Sequence, residues 1–213
     1  IVIDTLELPE LEPYRSMKWQ FEQRKQGIFV AEGEKVVRRM LESEVGVVSL
    51  LLPQKWLEVY EPLLARRTEE IVVYTAEKEL LEQMVGYSMY QGVLAIGKVP
   101  RLFTVEEVLR DFSKPILLLA VDEIALAENL GGLVRNCAAF GVQALLVGET
   151  SCSPYLRRAV RSSMGTIFKM PVIETEDLAE SIKELRAGGV RCIAAHPHAE
   201  EKMLSQADFR GDC

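Results

Sequence analysis

Short apolar runs alternate with amphipathic stretches along the chain from about residue 28 onward. The runs have the composition of buried strands, and the stretches between them repeat apolar positions at the 3.6-residue period of a helix. Between residues 34 and 41, for example, Val36, Val37, Met40 and Leu41 form one stripe. In the first half of the chain the pattern predicts strands over residues 28–31, 47–52, 71–74 and 93–96, and helices over residues 34–41, 54–65 and 77–84.

Pro100 interrupts this alternation. Thr104 and Glu107 then have the spacing of a capping box, which predicts a short helix that continues to about Phe112. We interpret residues 1–99 as a first domain, residues 100–113 as a linker helix, and residues 114–213 as a second domain.

The second domain repeats the alternation of strands and helices. Strands this apolar that are separated by helices predict a parallel sheet covered on both faces, and therefore an α/β fold. The predicted strands are residues 116–121, 144–147, 171–173 and 191–195, and the predicted helices are residues 131–140, 154–161 and 178–185.

Composition excludes several classes of protein. A chain of 213 residues that is 48% hydrophobic and 27% charged is globular, with one large domain or two small ones. The longest apolar run, Ile116 to Val121, is far shorter than the roughly 20 residues of a membrane span, so we expect a cytoplasmic protein. With no CxxC pair and only 2 histidines, we expect free thiols and no metal site.

Charge is distributed unevenly along the chain. The net charge of −7 argues against a protein that coats nucleic acid by bulk electrostatics. Residues 151–171, however, hold four cations and no acid, and residues 14–39 hold seven cations and three acids. These two segments predict local contacts to a phosphate backbone, for which the candidates are Arg24, Arg157, Arg158 and Arg161. Trp19 and Phe21 within the first segment either stack on an unpaired base or belong to the core.

The loop after Val121 is the most informative one, because ligands bind at the carboxyl ends of parallel strands. It lacks the glycine fingerprints of dinucleotide and nucleoside-triphosphate sites, which disfavours a small-molecule enzyme of that type. Asn129 stands where a helix N-cap belongs, so it either caps the helix or serves a ligand. The pair Gly131 and Gly132 indicates close approach of a backbone or a ligand beside Arg135, which is otherwise an ordinary surface residue.

Taken together, these stretches resemble the SpoU/TrmH family of RNA ribose 2′-O-methyltransferases. Asn129-Leu-Gly131-x-x-x-Arg135 is similar to the first motif of that family, N-x-G-x-x-x-R, and the run from Ser153 to Val172 is also similar to family members. In the first domain, the resemblance is carried by residues 24–34 and by Gln91-Gly92-Val93-x-Ala95. The resemblance covers about residues 14–212.

The resemblance implies methyl transfer from S-adenosylmethionine to a ribose 2′-hydroxyl of ribosomal or transfer RNA by a homodimer. It also implies a ribosomal-protein-like α/β RNA-recognition domain, followed by a parallel-sheet catalytic domain of the trefoil-knot type. Arg135 would clamp the phosphate of the target nucleotide, and Asn129 would orient the ribose or hold the loop. Ala195 and His196 would lie near the cofactor, although His196 and His198 are equally consistent with exposed loop residues.

The chain departs from the family pattern in two places. Leu126-Ala127 replaces the Asp-Pro that usually precedes the motif asparagine, and the second and third family motifs, which form the knot, are absent. Because the chain begins at Ile1 and stops just after Arg210-Gly211-Asp212, we expect native residues to be missing from both ends. The alternative is a non-catalytic module that binds structured RNA.

Overall fold

The computed structural model describes residues 1–5, 7–17, 20–86, 92–195 and 203–213. Contacts within it divide the chain into two compact units. The first unit consists of Ile1–Arg101, Leu126–Arg135 and Cys152–Lys169, and the second consists of Leu102–Ala125, Asn136–Ser151 and Met170–Cys213. Trp19 and the side chain of Phe21 lie outside the described part of the chain, so their predicted roles stay predictions.

A four-stranded sheet organises the first unit. Its strands are β1 (Ile28–Glu32), β2 (Val47–Pro53), β3 (Val72–Ala76) and β4 (Leu94–Lys98), in the spatial order β1-β4-β2-β3. Strand β4 runs antiparallel to both of its neighbours, and β2 runs parallel to β3. The four strands predicted here are confirmed to within two residues at each end, and the sheet is mixed.

Amphipathic helices accompany this sheet. They are α1 (Glu12–Arg15), α2 (Gln20–Lys25), α3 (Glu34–Leu41), α4 (Leu57–Leu64) and α5 (Lys78–Val85), with 3-10 turns at Pro9–Leu11 and Gln54–Trp56. The predicted stripe of α3 is confirmed, because Val36, Val37, Met40 and Leu41 are all buried. A buried polar contact adds to the core, where the Tyr14 hydroxyl and Ser49 Oγ lie 2.8 Å apart.

A parallel three-stranded sheet organises the second unit, as predicted. Its strands are β5 (Leu118–Val121), β6 (Ala144–Val147) and β7 (Val172–Glu174), in that spatial order. Cys213 lies beside β5, since its N–H donates to the Ile116 carbonyl (2.8 Å) and its carbonyl accepts from the Leu118 N–H (2.8 Å). The remaining helices are α6 (Val105–Asp111), α7 (Ala127–Phe140), α8 (Arg157–Ser162) and α9 (Leu178–Ala187). None of the described helices is long and apolar enough to cross a bilayer.

Helix α6 begins with the predicted capping box. Thr104 Oγ1 accepts a hydrogen bond from the Glu107 N–H (3.1 Å), and Glu107 Oε2 accepts one from the Thr104 N–H (2.9 Å). Val105 and Val108 of this predicted linker helix are buried in the core of the second unit.

Two predicted helix starts and one predicted strand are wrong. Helix α7 begins at Ala127 instead of Gly131, because the Leu126 carbonyl accepts from the N–H groups of Asn129 (3.0 Å) and Leu130 (3.2 Å). Asn129 is therefore inside the first turn and is not the N-cap. Helix α8 begins at Arg157 instead of Pro154, since residues 154–156 form a turn in which the Leu156 N–H donates to the Ser153 carbonyl (3.2 Å). Residues 191–195 form no strand.

Candidate functional site

Gly131 of α7 lies directly against the backbone of α8, within the first unit. A Cβ atom at Gly131 would be 2.0 Å from Ser162 Oγ and 2.2 Å from the Ala159 carbonyl oxygen, which is closer than any side chain can approach. A Cβ atom at Gly132 would meet nothing within 4 Å. The predicted close approach is confirmed for Gly131 and not for Gly132, and its partners are Ser162 Oγ and the backbone at Ala159 and Ser163.

Arg135 follows Gly131 by one helical turn and is exposed, as is Asn129. Six residues of α-helix separate Asn129 from Arg135 by about 9 Å along the axis and by about 240° around it. The two residues therefore lie on different faces of α7. Among the described residues, none forms an ion pair with Arg135, so its guanidinium is available to an anionic ligand.

Helix α7 buries one of its faces. Leu130, Val134 and Cys137 are buried, whereas Ala138 is exposed. Burial raises the pKa of the Cys137 thiol to about 11. At neutral pH the thiol is therefore protonated, and Cys137 is not a nucleophile.

The arginines of α8 have three different surroundings. Arg157 is 12% exposed and its Nη1 binds Glu32 Oε2, whereas Arg161 is 62% exposed and its Nη1 donates to Glu32 Oε1 at 2.8 Å. Arg158 is 64% exposed and pairs with Glu128 at 3.2 Å. Of the predicted RNA contacts on this helix, Arg158 and Arg161 face solvent and Arg157 does not. Arg24, at the end of α2, is exposed.

A hydroxyl pair after β6 holds the loop that leads into α7, within the second unit. Thr150 Oγ1 donates to Asp122 Oδ1 (2.8 Å) and accepts from the Glu123 N–H (3.2 Å). Ser151 Oγ accepts from the Ile124 N–H (3.1 Å). The loop lacks the usual Asp-Pro, and Glu123 has a left-handed φ of 52°, yet these hydroxyls fix its backbone. Thr150 and Ser151 were missed in the sequence, although they directly follow a predicted strand, where neighbouring loops converge.

One of the two predicted cofactor contacts lies outside the described residues. Ala195 is exposed and irregular, and His196 and His198 fall outside the described residues. In the described ranges, no group of three or more histidine, cysteine, aspartate or glutamate residues could hold a metal ion.

Comparison with known proteins points to one family. Residues 116–213 match the model of the SpoU rRNA Methylase family. An uncharacterized tRNA/rRNA methyltransferase of Mycobacterium tuberculosis is 31% identical over 181 residues, which are 84% of this chain and 61% of that protein. A 23S rRNA (guanosine-2'-O-)-methyltransferase, RlmB, of Nitrosomonas europaea is 28% identical over 130 residues, 61% of this chain and 50% of that protein.

Solved structures share the fold. An AdoMet-bound rRNA methyltransferase from Sinorhizobium meliloti superposes with a TM-score of 0.74 at 21% identity, over 89% of this chain and 70% of that one. An RNA 2'-O ribose methyltransferase superposes with a TM-score of 0.71 at 20% identity, over 94% of this chain and 75% of that one. The chain spans 61% of the length of the mycobacterial relative and half that of the Nitrosomonas one.

Proposed function

We propose that this chain moves a methyl group from S-adenosylmethionine to a ribose 2′-hydroxyl of ribosomal or transfer RNA, because residues 116–213 match the model of the SpoU rRNA Methylase family. The main support for this proposal is the arrangement of residues in the N-terminal half of α7. It keeps the spacing of Asn129, Gly131 and Arg135, and it presents an exposed Arg135 one turn beyond the glycine that contacts α8.

Arg135 is the residue that we propose to align and activate the ribose hydroxyl. A ribose hydroxyl is a weak nucleophile while it holds its proton, so it needs alignment and stabilisation of the developing alkoxide. A guanidinium with a pKa above about 12 is an unsuitable base, but its two parallel N–H donors fit a phosphate. Arg135 therefore clamps the phosphate of the target nucleotide and favours the alkoxide by its positive charge. Asn129, in the first turn of the same helix, orients the ribose.

S-adenosylmethionine supplies the electrophilic methyl group when bound, in keeping with the family and with the AdoMet-bound Sinorhizobium enzyme. The described residues do not by themselves fit this cofactor. Asp122, Thr150 and Ser151, polar side chains that follow β5 and β6, are already bonded to one another or to loop backbone. Ala195 and His196 remain the proposed cofactor contacts.

The RNA contacts that we propose are the exposed cations of the first unit. Arg24, Arg158 and Arg161 are exposed, and they position the RNA through its phosphates without reading its sequence. The mixed sheet of the first unit serves as the RNA-recognition domain. A C-terminal trefoil knot, a homodimer and a cytoplasmic location complete the proposal and rest on family resemblance.

Substitution of Arg135 by Lys tests the proposal. The variant keeps the charge and loses the two-pronged hydrogen bond, so we expect methyl transfer from labelled S-adenosylmethionine to fall by about 100-fold while RNA affinity changes by less than about threefold. Arg110→Lys is the matched control, since Arg110 is an exposed arginine on α6 that pairs with Asp111.

Methyl transfer near the wild-type rate in Arg135→Lys would contradict the clamp. A wild-type protein that binds structured RNA and transfers no methyl group to ribosomal or transfer RNA would favour the non-catalytic binding module.

A further inference from the structure

Glu32 is a buried carboxylate at the end of a strand that is otherwise apolar. Its side chain is only 7% exposed, and the residues before it in β1 are Ile28, Phe29, Val30 and Ala31. A carboxylate is costly to bury unless opposite charges and hydrogen bonds satisfy it. In this chain both conditions are met by α8.

Each oxygen of Glu32 receives one guanidinium. Arg157 binds Oε2 and Arg161 donates to Oε1 at 2.8 Å. Arg157 and Arg161 are four residues apart and therefore lie on the same face of α8, one turn from each other. Two anchors one turn apart on a single carboxylate fix both the rotation of α8 about its axis and its position along the strand.

The stretch of α8 between and just after these anchors contacts α7. The Ala159 carbonyl, Ser162 Oγ and the Ser163 N–H are the atoms that a Cβ at Gly131 would meet, at 2.2, 2.0 and 2.9 Å. Because Gly131 has no side chain and two of these three atoms belong to the backbone, little side chain lies between the two segments to absorb a displacement, so a rotation of α8 moves the backbone of α7 at Gly131. Arg135 is one turn further along the same helix.

We propose that Glu32 is a positioning residue for methyl transfer, which acts through Arg157, Arg161 and the backbone of α8 to hold Gly131 and Arg135 in place. This inference rests on the proposed function in so far as Arg135 acts on the RNA. It assigns a role to the first-domain segment around Glu32 that is separate from RNA binding. It also explains why Arg157 is only 12% exposed in a segment whose other cations face solvent.

The experiment compares amide hydrogen exchange and single-turnover methyl transfer in Glu32→Gln and in the wild-type protein. Glu12→Gln is the matched control, because Glu12 forms an exposed ion pair with Arg15 in the same unit. We expect exchange in residues 127–135 and 157–163 of Glu32→Gln to rise by about tenfold or more, while residues 144–147 of β6 stay protected. Methyl transfer should fall by about 10- to 100-fold with RNA affinity within about twofold.

Arg161→Gln is a second variant for the case that Glu32→Gln fails to fold. We expect Arg161→Gln to fold, because Arg157 still pairs with Glu32. It should raise exchange in residues 127–135 by a smaller factor. The double variant should exchange no faster than Glu32→Gln alone, because the two residues act through one contact.

Unchanged exchange in residues 127–135 of Glu32→Gln and of Arg161→Gln would overturn the positioning role, whatever the activity. In Glu32→Gln, a loss of RNA affinity that accounts for the whole loss of methyl transfer would overturn it as well. Absence of methyl transfer from the wild-type protein would instead overturn the proposed function, and the exchange data would still report on the contact between α8 and α7.

Discussion

Gly131 and Gly132 are neighbours on α7, but only Gly131 meets another backbone. At Gly131 the absence of a side chain allows α8 to approach, whereas at Gly132 it leaves open space and lowers the helix propensity. The same residue type therefore serves packing at one position and weakens the helix at the next.

Substitution of each glycine by Ala should have opposite effects. Gly131→Ala places Cβ 2.0 Å from Ser162 Oγ and 2.2 Å from the Ala159 carbonyl, and should lower the free energy of unfolding by about 2–4 kcal/mol through overpacking. Gly132→Ala should raise it by up to about 1 kcal/mol, because Ala is the better helix former. Urea denaturation of the two variants measures both changes, and equal effects would disprove the close contact.

Helix α8 carries three arginines whose surroundings differ within six residues. Arg157 is largely shielded from solvent and pairs with Glu32, whereas Arg161 pairs with the same carboxylate and is exposed. Arg158 forms an exposed ion pair with Glu128. A buried ion pair is strongly destabilised when one partner is removed, whereas an exposed pair contributes about 0–1 kcal/mol. The helix therefore combines one structural cation with cations that can meet RNA.

Alanine substitutions on α8 should separate these roles. Arg157→Ala should cost about 3 kcal/mol of stability, because it leaves the Glu32 carboxylate buried with only one partner. Arg158→Ala should leave stability within about 0.5 kcal/mol and weaken RNA binding, with a salt slope that is shallower by about one. Thermal unfolding and binding titrations at several salt concentrations measure both effects. A salt slope unchanged in Arg158→Ala would show that this arginine does not contact RNA.

A capping side chain helps to predict where a helix starts, although the start of α3 at Glu34 was predicted without one. Thr104 and Glu107 predict the start of α6 correctly because their side chains form its capping box. The starts of α7 and α8 were misplaced because Leu126 and Leu156 precede them, and leucine has no capping side chain. In α7 this moved Asn129 from a supposed cap into the first turn. The motif residues themselves were found, because their spacing does not depend on where the helix begins.

The pairing of Glu32 with α8 could not be read from the sequence, since about 125 residues separate Glu32 from Arg157. A count of charges places Glu32 among the acids that dilute the first basic segment, and Arg157 among the cations of the second. Only the folded chain shows that these two charges neutralise each other. The net charge of −7 thus conceals cations that face solvent together with cations that are buried.

Across the whole molecule, acid should act on carboxylates in both units. The pKa of Glu69 is lowered to about 2, first by hydrogen bonds from the Arg67 guanidinium. In the second unit the pKa of Asp212 is also lowered, first by the Ile116 N–H and then by Lys114. A carboxyl whose pKa is lower in the folded state than in the unfolded state stabilises the fold above its unfolded pKa, and this stabilisation is lost as pH falls toward its folded pKa.

Glu69→Gln tests the sign and size of this effect. At pH 7 we expect the variant to be less stable than the wild-type protein by about 1 kcal/mol, well below the full linkage value, because solvent reaches the carboxylate and screens it. The difference should shrink as pH falls from 4.5 and should be mostly lost near pH 2, where Glu69 of the folded protein is half protonated. Glu70→Gln is the control, since it removes the same charge from the exposed neighbouring residue. Urea unfolding between pH 2 and pH 7 measures the difference, and a Glu69→Gln deficit that stays constant with pH would show that Arg67 does not stabilise the ionised carboxylate.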